Sequence, residues 1–214
     1  MQTTKQEFRQ FFKQHFDDFE VRLPMFYLWD IGLRFDLQKV FKNPVSPEDN
    51  NYFENCLFRA IQIFETTFEP TDEIYLIFNS FKWKKRKIRR GNFIFKQVHK
   101  LDFENILYRR VNELYEPGDK TDQWNQAIIL TETKKIDYKQ ILEGLINTDF
   151  GSRSPRICEE VFFVNLNKRI IFNVYDDRGL DIIATDIETI RPIFEKHKDW
   201  ILDYDREKID KQFE

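Results

Sequence analysis

Glu160-Val161-Phe162-Phe163-Val164-Asn165-Leu166, Arg169-Ile170-Ile171-Phe172-Asn173-Val174-Tyr175 and Leu180-Asp181-Ile182-Ile183-Ala184-Thr185 follow one another along the chain. Each run is rich in β-branched and aromatic residues. The turn segments Asn165-Leu166-Asn167-Lys168 and Asp176-Asp177-Arg178-Gly179 bound them. Links this short join neighbouring antiparallel strands, because a parallel return needs a crossover of about a dozen residues or more. The stretch therefore predicts a three-strand meander and sets the fold class as α+β, a mostly antiparallel sheet with helices packed on it.

Towards the C-terminus, Ile187, Ile190, Ile193, Phe194 and His197 recur at helical spacing, and Pro192 predicts that the regular part begins near Thr189. Trp200, Ile201 and Tyr204 are expected to fold back onto the core. Towards the N-terminus, Asp137 is placed to cap a helix bearing Tyr138, Ile141, Leu142, Leu145 and Ile146. Trp124 to Thr131 reads as a strand, and Glu73 to Phe78 as a buried strand. The spacing of Phe103, Ile106, Leu107, Arg110 and Leu114 predicts a helix, whereas Phe93-Ile94-Phe95 reads as extended. Ser46-Pro47-Glu48-Asp49 is a helix start, the serine oxygen taking an orphan amide, and Phe53, Cys56, Leu57, Ala60, Ile61, Phe64 and Phe68 continue one face. Phe26 to Leu37 reads as two short strands broken at Asp30 to Gly32. Residues 4–19 form an amphipathic helix, with Thr4 and Glu7 spaced as a capping box.

The chain has 214 residues, with 23 Phe against 6 Gly, so an aromatic core is expected in a single domain, 1–214, divisible into lobes 1–118 and 119–214. Cys56 and Cys158 sit among apolar residues in expected regular elements and read as structural thiols. No signal-peptide pattern occurs in Met1 to Glu20 and no window reaches membrane-span length, so a cytoplasmic protein with no membrane partner is expected.

Five stretches carry a likeness in order: Gly32-Leu33-Arg34-Phe35-Asp36-Leu37, Tyr52 to Phe68 with Arg59-Ala60, Ile136-Asp137-Tyr138 with Ile141-Leu142, Tyr175 to Ala184, and Trp200 to Asp210. On these the chain resembles an uncharacterised bacterial family, domain of unknown function 3885. The likeness spans most of the chain and implies no catalytic residue, so function must be argued from the side chains.

Two segments offer themselves. The first is a repeated signature, Tyr175-Asp176-Asp177-Arg178-Gly179 with Asp181, then Trp200, Asp203, Tyr204, Asp205 and Arg206. A turn accounts for Asp176, which bonds the backbone two residues on, and for Gly179, expected at positive φ. It does not account for Arg178, whose donor fork suits a carboxylate from Asp181, Asp203 or Asp205. An ion-pair network joining the meander to the C-terminal tail is the structural reading. The chemical reading gathers Asp176, Asp177, Asp181, Asp203 and Asp205 as oxygen ligands for Mg²⁺ in a hydrolase or nuclease. His15, His99 and His197 are scattered, no His or Cys spacing marks a transition metal, and neither a phosphate loop nor a nucleophile elbow is present. No catalytic residue, metal ligand set or cofactor is assigned.

The second is Lys82, Trp83, Lys84, Lys85, Arg86 and Lys87 with Arg89 and Arg90. It contributes about +7 to a formal net charge of −3, leaving the rest near −10. Such a run suits a solvated edge, an acidic protein or a nucleic acid on which Trp83 stacks. Together with surface aromatics such as Trp29, Trp83 and Trp124, it leads to the expectation of a non-enzymatic interaction module with a protein partner, for instance a toxin-neutralising immunity-type protein. Nucleic-acid binding through residues 82–90 and a metal-dependent hydrolase or nuclease are the alternatives.

Overall fold

A computed structural model describes residues 4–38, 46–81 and 88–214. Lys82, Trp83, Lys84, Lys85, Arg86 and Lys87 lie outside the described residues. Seven strands, β1 (Gly32–Asp36), β2 (Glu73–Phe81), β3 (Leu107–Asn112), β4 (Gln123–Glu132), β5 (Glu160–Asn165), β6 (Ile170–Asp176) and β7 (Gly179–Ala184), form one sheet. Their order is β1-β7-β6-β5-β2-β4-β3, and every pairing is antiparallel. The meander is β5-β6-β7, as the short links predict, and the chain is α+β.

Both faces of the sheet are covered, which explains why the central strands are almost continuously apolar rather than alternating. Leu76 and Phe78 of β2, Phe163 of β5 and Phe172 of β6 face α3 (Asn50–Thr67), α5 (Tyr138–Ile146) and α6 (Ile187–His197) in the larger core. Tyr75, Ile77, Phe162 and Ile171, one residue out of step, face Phe8, Phe12 and Phe16 at and just beyond α1 (Lys5–His15). The abundant phenylalanines meet edge to face: Phe64 lies 5.0 Å from Phe163 and 5.3 Å from Phe172. The capping box at Thr4 and Glu7 forms, and Asp137 caps α5 by accepting from the Gln140 amide.

A polar band crosses the α1 side of the sheet beneath the irregular chain between α1 and β1. Asn79 donates to the Val21 carbonyl at 3.0 Å, Tyr115 accepts from the Leu23 amide at 2.9 Å, and Asp181 accepts from the Phe26 amide at 3.3 Å. A chain crossing a sheet without strand partners must find side chains for its backbone groups, and these residues supply them.

Several local expectations are corrected. Residues 107–112 are a strand, not a helix; exposure alternates along β3, and pairing with β4 prevails over spacing that suits either period. Phe93–Lys96 is a helical turn, α4, begun by the Asn92 side chain accepting from the Ile94 amide at 2.9 Å. Met25–Leu28 is also helical, α2, so only Gly32–Asp36 of the expected strand pair is extended. Asp49, not Ser46, caps α3, accepting from the Tyr52 amide at 3.2 Å. Helix α6 starts at Ile187 and passes through Pro192; the carbonyl deprived of its donor belongs to Glu188, an exposed residue of the first turn. Cys158 is exposed outside any regular element, whereas Cys56 is buried in α3.

Candidate functional site

The expected link between meander and tail exists, but Arg34 makes it and Arg178 does not. Arg34 and Asp181 stand opposite each other in the β1-β7 register. The Arg34 Nε lies 3.5 Å from Asp181 Oδ1 and 3.9 Å from Asp205 Oδ2. The guanidinium is held between two rings, 4.8 Å from the centre of Tyr27 and 5.1 Å from that of Tyr175. Tyr27 in turn donates its hydroxyl to Asp205 at 3.0 Å. Burial pushes the Asp181 carboxyl up to about 6 against the pull of Arg34. Burial also raises Tyr175, to about 12. Asp181 is wholly buried, whereas Tyr175 is half-buried.

Arg178 turns back on its own loop. Its amide donates to Asp176 Oδ1 at 2.8 Å and its Nε to Oδ2 at 2.8 Å, with Nη2 closing the fork; the side chain is 63% exposed. Gly179 does not have positive φ. A side chain is excluded there by packing: an added Cβ would run into the Tyr175 hydroxyl and come within 2.5 Å of the Phe35 carbonyl. Asp177 accepts from the buried Tyr52 hydroxyl, and burial raises its carboxyl. Of the five acids gathered as ligands from the sequence, Asp176 and Asp177 are brought together at the turn, joined by Asp149. Asp181 and Asp205 meet separately at Arg34. Asp203 is exposed and pairs with Arg206, 3.5 Å away.

The tail beyond α6 covers the outer edge of β1. Leu202 donates its amide to the Arg34 carbonyl at 2.9 Å, and Ile201 is bridged to Phe35. Gln212 accepts from the Gly32 amide at 3.0 Å and donates to its carbonyl at 3.3 Å, acting as a detached piece of strand. Arg206 supports the turn by donating to the carbonyls of Lys198 and Ile201, each at 3.1 Å. Trp200 stacks on His197 with centroids 4.9 Å apart and lies over Arg59. Ile201 is buried as expected. Tyr204, by contrast, is 85% exposed and makes no return to the core.

At the opposite edge of the sheet, β3 has no second strand partner among the described residues. The Glu113 amide bonds the Asp122 carbonyl at 2.6 Å, which fixes the alternation along β3. Leu107, Arg109 and Val111 turn their backbone groups to β4, and Tyr108, Arg110 and Asn112 turn theirs outward. Among the described residues nothing pairs with that outward row. Tyr108 is 49% exposed and Arg110 is exposed. Arg90, the described end of the basic run with Arg89, stacks over Phe103 at 5.1 Å and lies 3.9 Å from Glu104. Its charge reaches Tyr108, opposing the rise that burial gives that phenol. Trp124 is partly exposed between Phe81 and Tyr115, while Trp29 is anchored, donating to the Ala184 carbonyl at 2.7 Å. The sequence does not mark out Arg34, Tyr27 or Gln212: alternation along a strand puts Arg34 and Asp36 on one face, but it does not name the strand across from them.

An α+β protein with a seven-stranded antiparallel sheet, one edge of it sealed by the tail and the other unpaired among the described residues, is the class defined by these features. The chain belongs to the family described as Domain of unknown function (DUF3885), whose sequence profile matches residues 8–205. It is 27% identical over 214 residues to "Uncharacterized protein YnaE" of Bacillus subtilis (strain 168), covering 91% of this chain and 96% of that protein. No solved structure matches it. No helix among the described residues is long and apolar enough to cross a membrane.

Proposed function

We propose that the protein is a non-enzymatic interaction module that holds an acidic protein partner against the β3 edge, acting as an immunity-type protein would, by covering another protein. The asymmetry of the sheet carries this reading. One edge is sealed by the chain's own tail, whereas the other presents backbone groups that no described residue pairs with, flanked by Tyr108, Arg90 and Arg110. The basic run singled out in the sequence enters this region at Arg90. The signature acids are engaged by Tyr52, Arg178, Arg34 and Tyr27, which supports their structural use.

The test is capture from native lysate with the wild-type chain and with an Arg90→Glu/Arg110→Glu variant as baits. A partner retained by the first and lost by the second is expected, with an association rate that falls steeply as salt is added. Equal capture by both baits overturns the reading. Capture abolished by nuclease treatment assigns the edge to nucleic acid instead.

A further inference from the structure

Strand β4 is longer than the strand that covers it. Leu107, the first residue of β3, pairs with Ile128, so β4 runs on from Ile129 to Glu132 with β2 on one side and, among the described residues, no strand on the other. The Thr133 amide bonds the Asp72 carbonyl at 3.0 Å, which fixes odd-numbered residues of β4 towards β2 and even-numbered ones away from it. The N–H and C=O of Leu130 and the N–H of Glu132 therefore point outward, and no described residue pairs with them. They face a cleft of about 480 Å³. Its far wall is the segment running from Val98 to Asp102, tied down where the His99 amide donates to the Lys135 carbonyl at 2.8 Å.

The two sides of the cleft differ. Val98 and Leu101 are apolar and pack with the larger core. Lys100, Lys134 and Lys135 line the cleft with Asp102 and Glu132; Lys134, at 2.5 Å, and Lys135 both pair with Glu132 and share its single charge, so the lining keeps one excess positive charge. An extended chain projects side chains alternately to opposite sides at about 3.3 Å per residue. A strand alternating apolar and acidic residues meets both sides while its backbone takes the orphan groups of Leu130 and Glu132.

We infer that this cleft is a strand-addition site, in which about four residues of an extended, acidic segment of a protein partner pair with Ile129 to Glu132 and continue the line of β3. This deepens the interaction reading and rests on it. The excess positive charge favours acidic side chains, and the backbone groups of Leu130 and Glu132 set the direction and register of the bound segment.

The probe is a fluorescein-labelled, N-acetylated hexapeptide alternating valine and glutamate. Saturable binding is expected, together with slowed amide exchange at Leu130 and Glu132. Leu130→Pro removes only the outward donor, since that N–H takes no part in the β2 ladder, and should weaken binding at least about tenfold. No saturation up to about 1 mM peptide overturns the inference, as does binding with unchanged exchange at Leu130. If Leu130→Pro does not fold, the exchange measurement on the wild-type chain decides alone. A lysate partner that requires Arg90 and Arg110 yet leaves Leu130 exchange unchanged removes this site and preserves the broader reading. Peptide binding at Leu130 with no partner captured does the reverse.

Discussion

Arg34 and Asp181 face each other across β1 and β7, with the guanidinium Nε 3.5 Å from a carboxylate whose side chain is wholly buried. Removing one member of such a pair strands the other, and the cost reflects the stranded charge more than the bond itself. Arg34→Met should therefore destabilise the fold by about 3–5 kcal/mol at neutral pH and free the tail from the sheet. Urea unfolding measures the first and proteolysis after residue 200 the second. A variant as stable as wild type would show that the clamp is ornamental.

The same pair makes stability depend on pH. Asp181 titrates near 6 in the folded chain, raised by burial in spite of Arg34, and near about 3.9 when unfolded. The folded state thus binds this proton more tightly. The associated stability is complete below about pH 4 and is lost as pH rises through about 6. Asp181→Asn cannot titrate, so the unfolding free energy of wild type minus variant should rise by about 2 kcal/mol from pH 7 to pH 4. Parallel profiles would refute the assignment.

Much of this architecture is written locally. Glu160 to Thr185 alternates tight turns with β-branched runs, and Thr4, Glu7 and Asp137 announce helix starts by bonding backbone within three residues. The clamp is not local. Arg34 is 147 positions from Asp181 by numbering alone, and nothing near Arg34 tells which acid will lie across from it. Arg178 stood beside acids in sequence and attracted the assignment that belongs to Arg34. Edge strand β3 is ambiguous for a related reason, because Ile106, Arg110 and Leu114 fit a helix until β4 is known to lie alongside.

Arg178 accordingly has a modest structural role. Its fork closes on Asp176 within the turn and its side chain is 63% exposed, where ion pairs contribute little. Arg178→Ala should cost less than about 1 kcal/mol. A loss comparable to that of Arg34→Met would mean that Arg178 reaches a partner beyond its own turn.

Gly179 is constrained by space and not by φ. A methyl group there meets both the Tyr175 hydroxyl and the Phe35 carbonyl, and the second belongs to backbone held in the β1-β7 pairing. Gly179→Ala should destabilise by about 1–3 kcal/mol through overpacking. Adding Tyr175→Phe removes one obstruction and should restore only part of the loss, because the carbonyl remains. Full restoration would place the whole strain on the phenol.

Ending the chain at His197 tests the seal on β1. The truncation removes the Leu202 amide from the Arg34 carbonyl, both bonds of Gln212 to Gly32, and the buried Ile201 and Ile209. It leaves a strand edge with no partner beside an uncovered apolar surface, the combination that recruits a second chain. Light scattering should show concentration-dependent association of the truncated chain. Gln212→Ala loses its two hydrogen bonds to Gly32 and a longer one to the Lys208 carbonyl at 3.5 Å, worth about 1–3 kcal/mol together, and should keep the hydrodynamic size of the full chain. If the truncated chain also keeps that size and its melting temperature, the tail does not protect β1, and the contrast between a sealed and an open edge loses its force.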